Sequence, residues 1–103
     1  MELSISKVAA LVENCEPYRR FRNECGGYIA AVMLIGDGYS VGLESYKIDG
    51  GSATIDVDIE DNHASVHLNH CLFNEPDVIM ILCEICNEVI MELKLTDRSV
   101  VNN

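Results

Sequence analysis

The chain has 103 residues, which suffices for one domain with a modest core and is too short for two. Its hydrophobic fraction of 49% and charged fraction of 23% are typical of globular proteins, and no apolar run approaches the roughly 18–20 residues that span a membrane. Seventeen acids against seven Lys and Arg give a net charge of −10, which argues against direct binding to nucleic acid or an anionic membrane.

The cysteine content favours a reducing compartment. The count of five is odd, and each cysteine has apolar neighbours, which is typical of reduced thiols used as small hydrophobic side chains. The N-terminal segment MELSISKVAAL has no cationic leader, so no secretory signal is expected. We therefore expect a cytoplasmic protein without disulfides.

The first expected element is a helix with an interruption. An apolar stripe at helical spacing comprises Ile5, Val8, Val12 and Cys15. Pro17 must break this helix near Glu16, because the residue before a proline is pushed out of the α region. A short second helix should then end at Gly26-Gly27.

The segment YRRFR in the second helix is the one basic cluster of the chain. Its arginines are expected to pair with Glu16 and Glu24 on a solvated face. The alternative is a phosphate or RNA contact, since Arg beside Tyr and Phe is also what single-strand binding uses.

Four strand-like segments follow, separated by Gly36-Asp37-Gly38, Asp49-Gly50-Gly51 and Asp61-Asn62. Short turns of this kind predict an antiparallel meander. Residues 74–97 then carry apolar side chains at helical spacing, with Asn74 as the expected N-cap and Pro76 in the first turn. The predicted fold is a single α+β domain over residues 1–103, with the N-terminal helix broken near Pro17, a four-stranded meander, and the long C-terminal helix packed on one sheet face.

The hairpin turns predict the strand register. A two-residue turn at Asp61-Asn62 places Glu60 opposite His63 and directs the apolar residues of both strands to one face. For the preceding hairpin, a three-residue loop sets Val41 and Leu43 opposite Ile59 and Val57 and gives a glycine the positive φ angle.

The first strand is apolar on both faces. Tyr28, Val32 and Leu34 alternate with other apolar residues, so we expect these three to contact a helix, a partner chain or a second subunit. On the long helix, Met80, Ile81 and Met91 widen the apolar stripe beyond what one sheet face needs. Together these features predict self-association, with a homodimer as the first expectation.

The other sheet face is predicted to be acidic. Residues 48–93 contain ten acids and no Lys or Arg, so the whole net charge lies in this half of the chain. Such a field would attract the basic, nucleic-acid-binding surface of another protein. The candidate partner-binding residues are Glu44, Asp56, Asp58, Glu60, Asp61, His63 and His67.

A zinc site is the main alternative use of these residues. His63 and His67 share a face with several carboxylates, but four residues of extended strand separate them by about 13 Å. The CxxC of Cys83 and Cys86 lies in the most apolar helix and is better explained as two packed thiols, and His70 is expected to face inward. We expect no metal, cofactor or catalytic residue, because neither a G-x-S-x-G motif nor a phosphate-binding loop is present.

In gross character the chain, a small and strongly acidic α+β protein without a catalytic signature, resembles phage-encoded inhibitors such as anti-CRISPR proteins. It is similar in the same way to acidic immunity proteins that neutralise toxin nucleases. The resemblance covers composition and layout and implies a non-enzymatic inhibitor. Two alternatives remain: a dimeric chaperone or adaptor like the acidic type III secretion chaperones, whose element order differs, and a metal-binding regulatory module.

Overall fold

The computed structural model describes residues 3–61 and 63–101. Within them the elements are α1 (Ile5–Glu13), α2 (Glu16–Cys25), β1 (Gly27–Ile35), β2 (Gly38–Ser45), β3 (Ser52–Glu60), β4 (His63–Asn69) and α3 (Pro76–Val101). The strands form one antiparallel sheet in the order β1-β2-β3-β4, and the helices cover one of its faces. The predicted α+β fold is confirmed. No helix in the described part of the chain is long and apolar enough to cross a membrane.

The N-terminal helix is broken as predicted. The side chain of Ser4 caps α1 by accepting a hydrogen bond from the Lys7 N–H at 3.1 Å, and α1 ends at Glu13. Pro17 lies in the first turn of α2, where the missing N–H has no helical partner to lose. Gly26 ends α2 in the left-handed conformation, with φ of +65° and its N–H donating to the Phe21 carbonyl.

The predicted register is correct for β3 and β4, where Glu60 pairs with His63. It is wrong for β2 and β3, because Val41 pairs with Ile55 instead of Ile59. The cause is that β2 ends early, at Ser45. The Ser45 hydroxyl accepts hydrogen bonds from the N–H groups of Lys47 and Ile48, and these bonds turn the chain out of the strand into a longer connection. The shift is an even number of residues, so the predicted faces of these strands are retained.

The core lies between the helices and the inner sheet face. Within it the buried rings of Phe21 and Phe73 meet edge to face, with ring centroids 5.8 Å apart. The sheet contributes Val41, Leu43, Ala53, Ile55 and Val57, and the apolar stripe of α3 covers them together with α2.

Two predictions for α3 need correction. The helix begins at Pro76 and ends at Val101, and the Glu75 carbonyl accepts the N–H of Ile79 at 3.1 Å, so Glu75 takes the cap position predicted for Asn74. Ile81 is buried in the core rather than extending the stripe outward. Met80 and Met91 are exposed, as an over-wide stripe predicts.

The alternation of β1 is interrupted by a β-bulge between Ile29 and Ala31. Before the bulge Tyr28 lies opposite Glu44, and after it Val32 lies opposite the buried Val41. Val32 and Leu34 therefore lie on the helix side of the sheet and Tyr28 on the other side. The three residues predicted to form one apolar contact are divided between two faces.

Candidate functional site

The sheet face turned away from the helices, called the open face below, brings most of the predicted partner-binding residues together. Strand pairing places successive outward residues of neighbouring strands side by side. The open face carries Tyr28, Met33, Ile35, Ser40, Glu44, Thr54, Asp56, Asp58, Glu60, His63, Ser65, His67 and Asn69.

A row of carboxylates runs along β3. Asp56, Asp58 and Glu60 are outward residues at every second position, so their Cα atoms repeat at about 6.6–6.8 Å. Asp58 and Glu60 are exposed, and Asp61 continues the row at the strand end with φ of +49°. We call these four residues the acid row. Residues 48–93 contain no Lys or Arg, so the acid row has no lysine or arginine beside it on β3 or β4.

Asp56 differs from the rest of the acid row because its carboxylate is already engaged. Its two oxygens accept hydrogen bonds from the Ser40 hydroxyl at 2.6 Å and the Asn69 amide at 2.7 Å. Partial burial raises the pKa of Asp56, but the hydrogen bonds from Ser40, Asn69 and Thr54 outweigh burial and hold the pKa below its usual value. Asp56 is thus a negative charge held in place by hydrogen bonds from neighbouring strands. Ser40 was not identified from the sequence as a residue of this site, although its outward position on β2 could have indicated it.

Glu44 stands apart from the acid row. It lies opposite Ser52 on β3, four residues and hence about 13 Å along the strand from Asp56. Its carboxylate accepts a hydrogen bond from the Tyr28 hydroxyl at 2.9 Å, and this bond raises the pKa of Tyr28. A shallow groove of about 440 Å³ lies beside Glu44, and its lining includes Gly42, Thr54 and His70.

The histidines do not converge. His63 and His67 are exposed and face Glu60 and Asp56 from β4, about 13 Å from each other. His70, predicted to face inward, is exposed with φ of +51°, because the chain turns sharply after β4 ends at Asn69. Within the described residues, no group of three or more His, Cys, Asp or Glu side chains could hold a metal ion.

The two thiols of the CxxC on α3 differ in their exposure. Cys86 is buried in the core, and burial raises its pKa to about 12, so this thiol is poorly suited to form a thiolate. Cys83 is exposed, which corrects the prediction that both thiols are packed. The three-residue spacing sets the two side chains about 60° apart around the helix axis, so Cys86 lies within the buried stripe and Cys83 lies just outside it.

One arginine of the basic cluster in α2 makes structural ion pairs. Arg20 pairs with Glu16 at 2.7 Å, as predicted, and also with Glu84 of α3 rather than with Glu24. These two carboxylates raise the pKa of Arg20. Tyr18 and Phe21 are buried, so their rings cannot stack on nucleic-acid bases as the RNA alternative requires.

No protein-family model matches the chain, and neither the curated proteins nor the solved structures contain a match to it.

Proposed function

We propose that the chain is a non-enzymatic, cytoplasmic inhibitor that blocks the basic nucleic-acid-binding surface of a partner protein. The acid row carries the proposal. Asp58 and Glu60 are exposed acids at one end of the open face, and Asp61 is an exposed acid in the turn that follows, on a chain with a net charge of −10. A basic groove that ordinarily binds phosphates would be attracted to such a row.

The spacing of the row supports mimicry of a nucleic-acid backbone. Outward residues of one strand repeat at about 6.6–6.8 Å, comparable to the separation of successive phosphates along one DNA strand. A rigid sheet presents these charges with little loss of conformational entropy on binding, because the backbone is already ordered. Asp56 contributes a fixed charge, while Asp58 and Glu60 have exposed carboxylates able to contact Arg and Lys.

The test reverses charge without touching Asp56. The variant D58K/E60K places two lysines on exposed outward positions, and the variant E13K/E24K places two lysines on exposed positions of α1 and α2. Both raise the net charge by the same four units, so they differ only in where the charge changes. Each variant and the wild type serve as bait in extracts of the producing cell, with captured proteins identified by mass spectrometry.

We expect wild type and E13K/E24K to capture the same nucleic-acid-binding protein and D58K/E60K to lose it. Added double-stranded DNA or RNA should release the captured protein, and rising salt should weaken the complex steeply, because exposed charges hold it together. Capture by D58K/E60K as strong as by wild type at low and high salt would contradict the proposal and leave the acids a solubilising role.

The alternatives make different predictions in the same experiment. A chaperone or adaptor would capture an exported client that nucleic acid does not displace. A metal-binding module would bind about one Zn²⁺ per chain, lost on replacing Cys83 and Cys86, as metal analysis after purification without chelator would detect.

A further inference from the structure

The backbone of β1 forms one edge of the sheet. Within the described residues β1 pairs with β2 alone, so the hydrogen-bonding groups on its other side face outward. Its nine residues, GYIAAVMLI, contain no charge and no proline. It therefore lacks the lysines, prolines and inward-pointing charges with which monomeric proteins block edge pairing.

The accessible part of this edge is its second half. At the start of β1, the hydroxyl of Tyr18 lies against the backbone of Ile29 and covers it. Burial raises the pKa of Tyr18, and a hydrogen bond from the backbone of Ile29 partly offsets that rise. The bulge then ends, and residues 31–35 run in regular register. Met33, Leu34 and Ile35 follow one another there with 52%, 61% and 56% of their surface exposed.

We propose that residues 31–35 of β1 pair with the same residues of a second copy, joining two sheets into one of eight strands. A two-fold axis through Met33 places Val32 opposite Leu34 of the partner subunit on the helix side, and Ala31 opposite Ile35 of the partner subunit on the open face. Every pair is then apolar and both members share a face, as antiparallel pairing requires. A shift of one residue would set open-face residues against helix-side residues.

The charge layout favours a second copy over a basic partner at this edge. Residues 27–36 carry no charge, so a basic surface gains no electrostatic attraction there. Two copies each with a net charge of −10 repel one another unless their acidic parts stay apart. Pairing through β1 leaves five strand spacings between the two acid rows, about 24 Å, well beyond the screening length at physiological salt.

The test compares two methionines of nearly equal exposure. M33E places a charge at the centre of the proposed contact, and M91E places the same charge on the outward side of α3, where Met91 is 56% exposed. Mass by light scattering at high micromolar concentration is measured for wild type and both variants, with circular dichroism and thermal melting as checks of folding. Hydrogen exchange of the wild type at high and low concentration locates the contact independently.

We expect wild type and M91E to have twice the chain mass of 11.4 kDa and M33E to have the single mass. Every second amide of residues 31–35, those whose N–H points away from β2, should exchange faster on dilution of the wild type, and this measurement decides the question if M33E does not fold. A monomeric wild type, a dimeric M33E, or exchange that is unchanged by dilution would each overturn the proposal. Dissociation by M91E alone would place the contact on α3.

Discussion

Ser40 is a nearly buried hydroxyl, 8% exposed, in the middle of β2. It donates to Asp56, and the structure predicts that Ser40→Ala lowers the free energy of unfolding by about 1–2 kcal/mol at neutral pH, because a charge-assisted hydrogen bond is lost. Ser65→Ala is the matched control, since Ser65 lies on the same face opposite Asp58 and makes no side-chain hydrogen bond to another described residue. Urea denaturation of the three proteins measures the difference.

The pH dependence of the Ser40 effect follows from the lowered pKa of Asp56. A carboxyl whose pKa is lower in the folded state stabilises the fold above its ordinary value of 3.8, and this stabilisation is lost as pH falls through the folded value. The difference between wild type and Ser40→Ala should therefore shrink well below pH 3.8. A difference that grows on acidification would show that Asp56 is not the group responsible.

At this scale the sequence predicted which side chains of β3 and β4 face outward, because strand alternation and the β3–β4 turn determine that. It did not predict that Asp56 accepts a hydrogen bond from Ser40, since that depends on which residue of β2 lies opposite Asp56. The β2–β3 register, in which Ser40 meets Asp56, was the one mispredicted.

Among the elements, the connections at Gly27 and Gly51 are packed against aromatic rings. A Cβ on Gly27 would lie 2.2 Å from the Phe21 ring, and one on Gly51 would lie 2.3 Å from the Phe73 ring. Gly27→Ala and Gly51→Ala are each expected to destabilise the fold by about 1–3 kcal/mol, because the edge-to-face aromatic pair must move. Gly42→Ala is the control, because a Cβ there would have no atom closer than 3.8 Å. Thermal melting measures the stability of all three variants, and an equal loss of stability in the three would contradict this packing.

The sequence identified every helix and strand but not how their ends are built. Gly27 was expected only as part of a helix stop and Gly51 only as part of a turn, because their aromatic neighbours are contacts of the tertiary fold. The bulge in β1 was equally hidden: the strand is apolar on both faces, so its pattern does not change where the register shifts. The Ser45 turn that shortens β2 depends on one hydroxyl and has no periodic signal.

For the whole molecule, the separation of charge from apolar surface is the dominant property. The acid row occupies β3 and the turn after it, and the uncharged edge lies two strands away on β1. The sequence predicted the acidic half correctly, since charge is a sum over residues. The predicted meander also placed β3 two strands from β1, and the strand order confirms it.

Mutual repulsion within the acid row should make the fold more stable as salt is added. Neighbouring acids about 6.6–6.8 Å apart lie inside the screening length of ~8 Å at physiological ionic strength, so salt reduces a repulsion that the unfolded chain largely escapes. A gain of about 0.5 kcal/mol would raise the melting temperature by about 2–4 °C between low and physiological NaCl. D58N/E60Q should lose part of this increase and E13Q/E24Q, with the same net charge, should retain more of it. The hypothesis of repulsion within the acid row would be wrong if the melting temperature of the wild type fell with salt. It would also be wrong if salt changed the melting temperatures of the two variants equally.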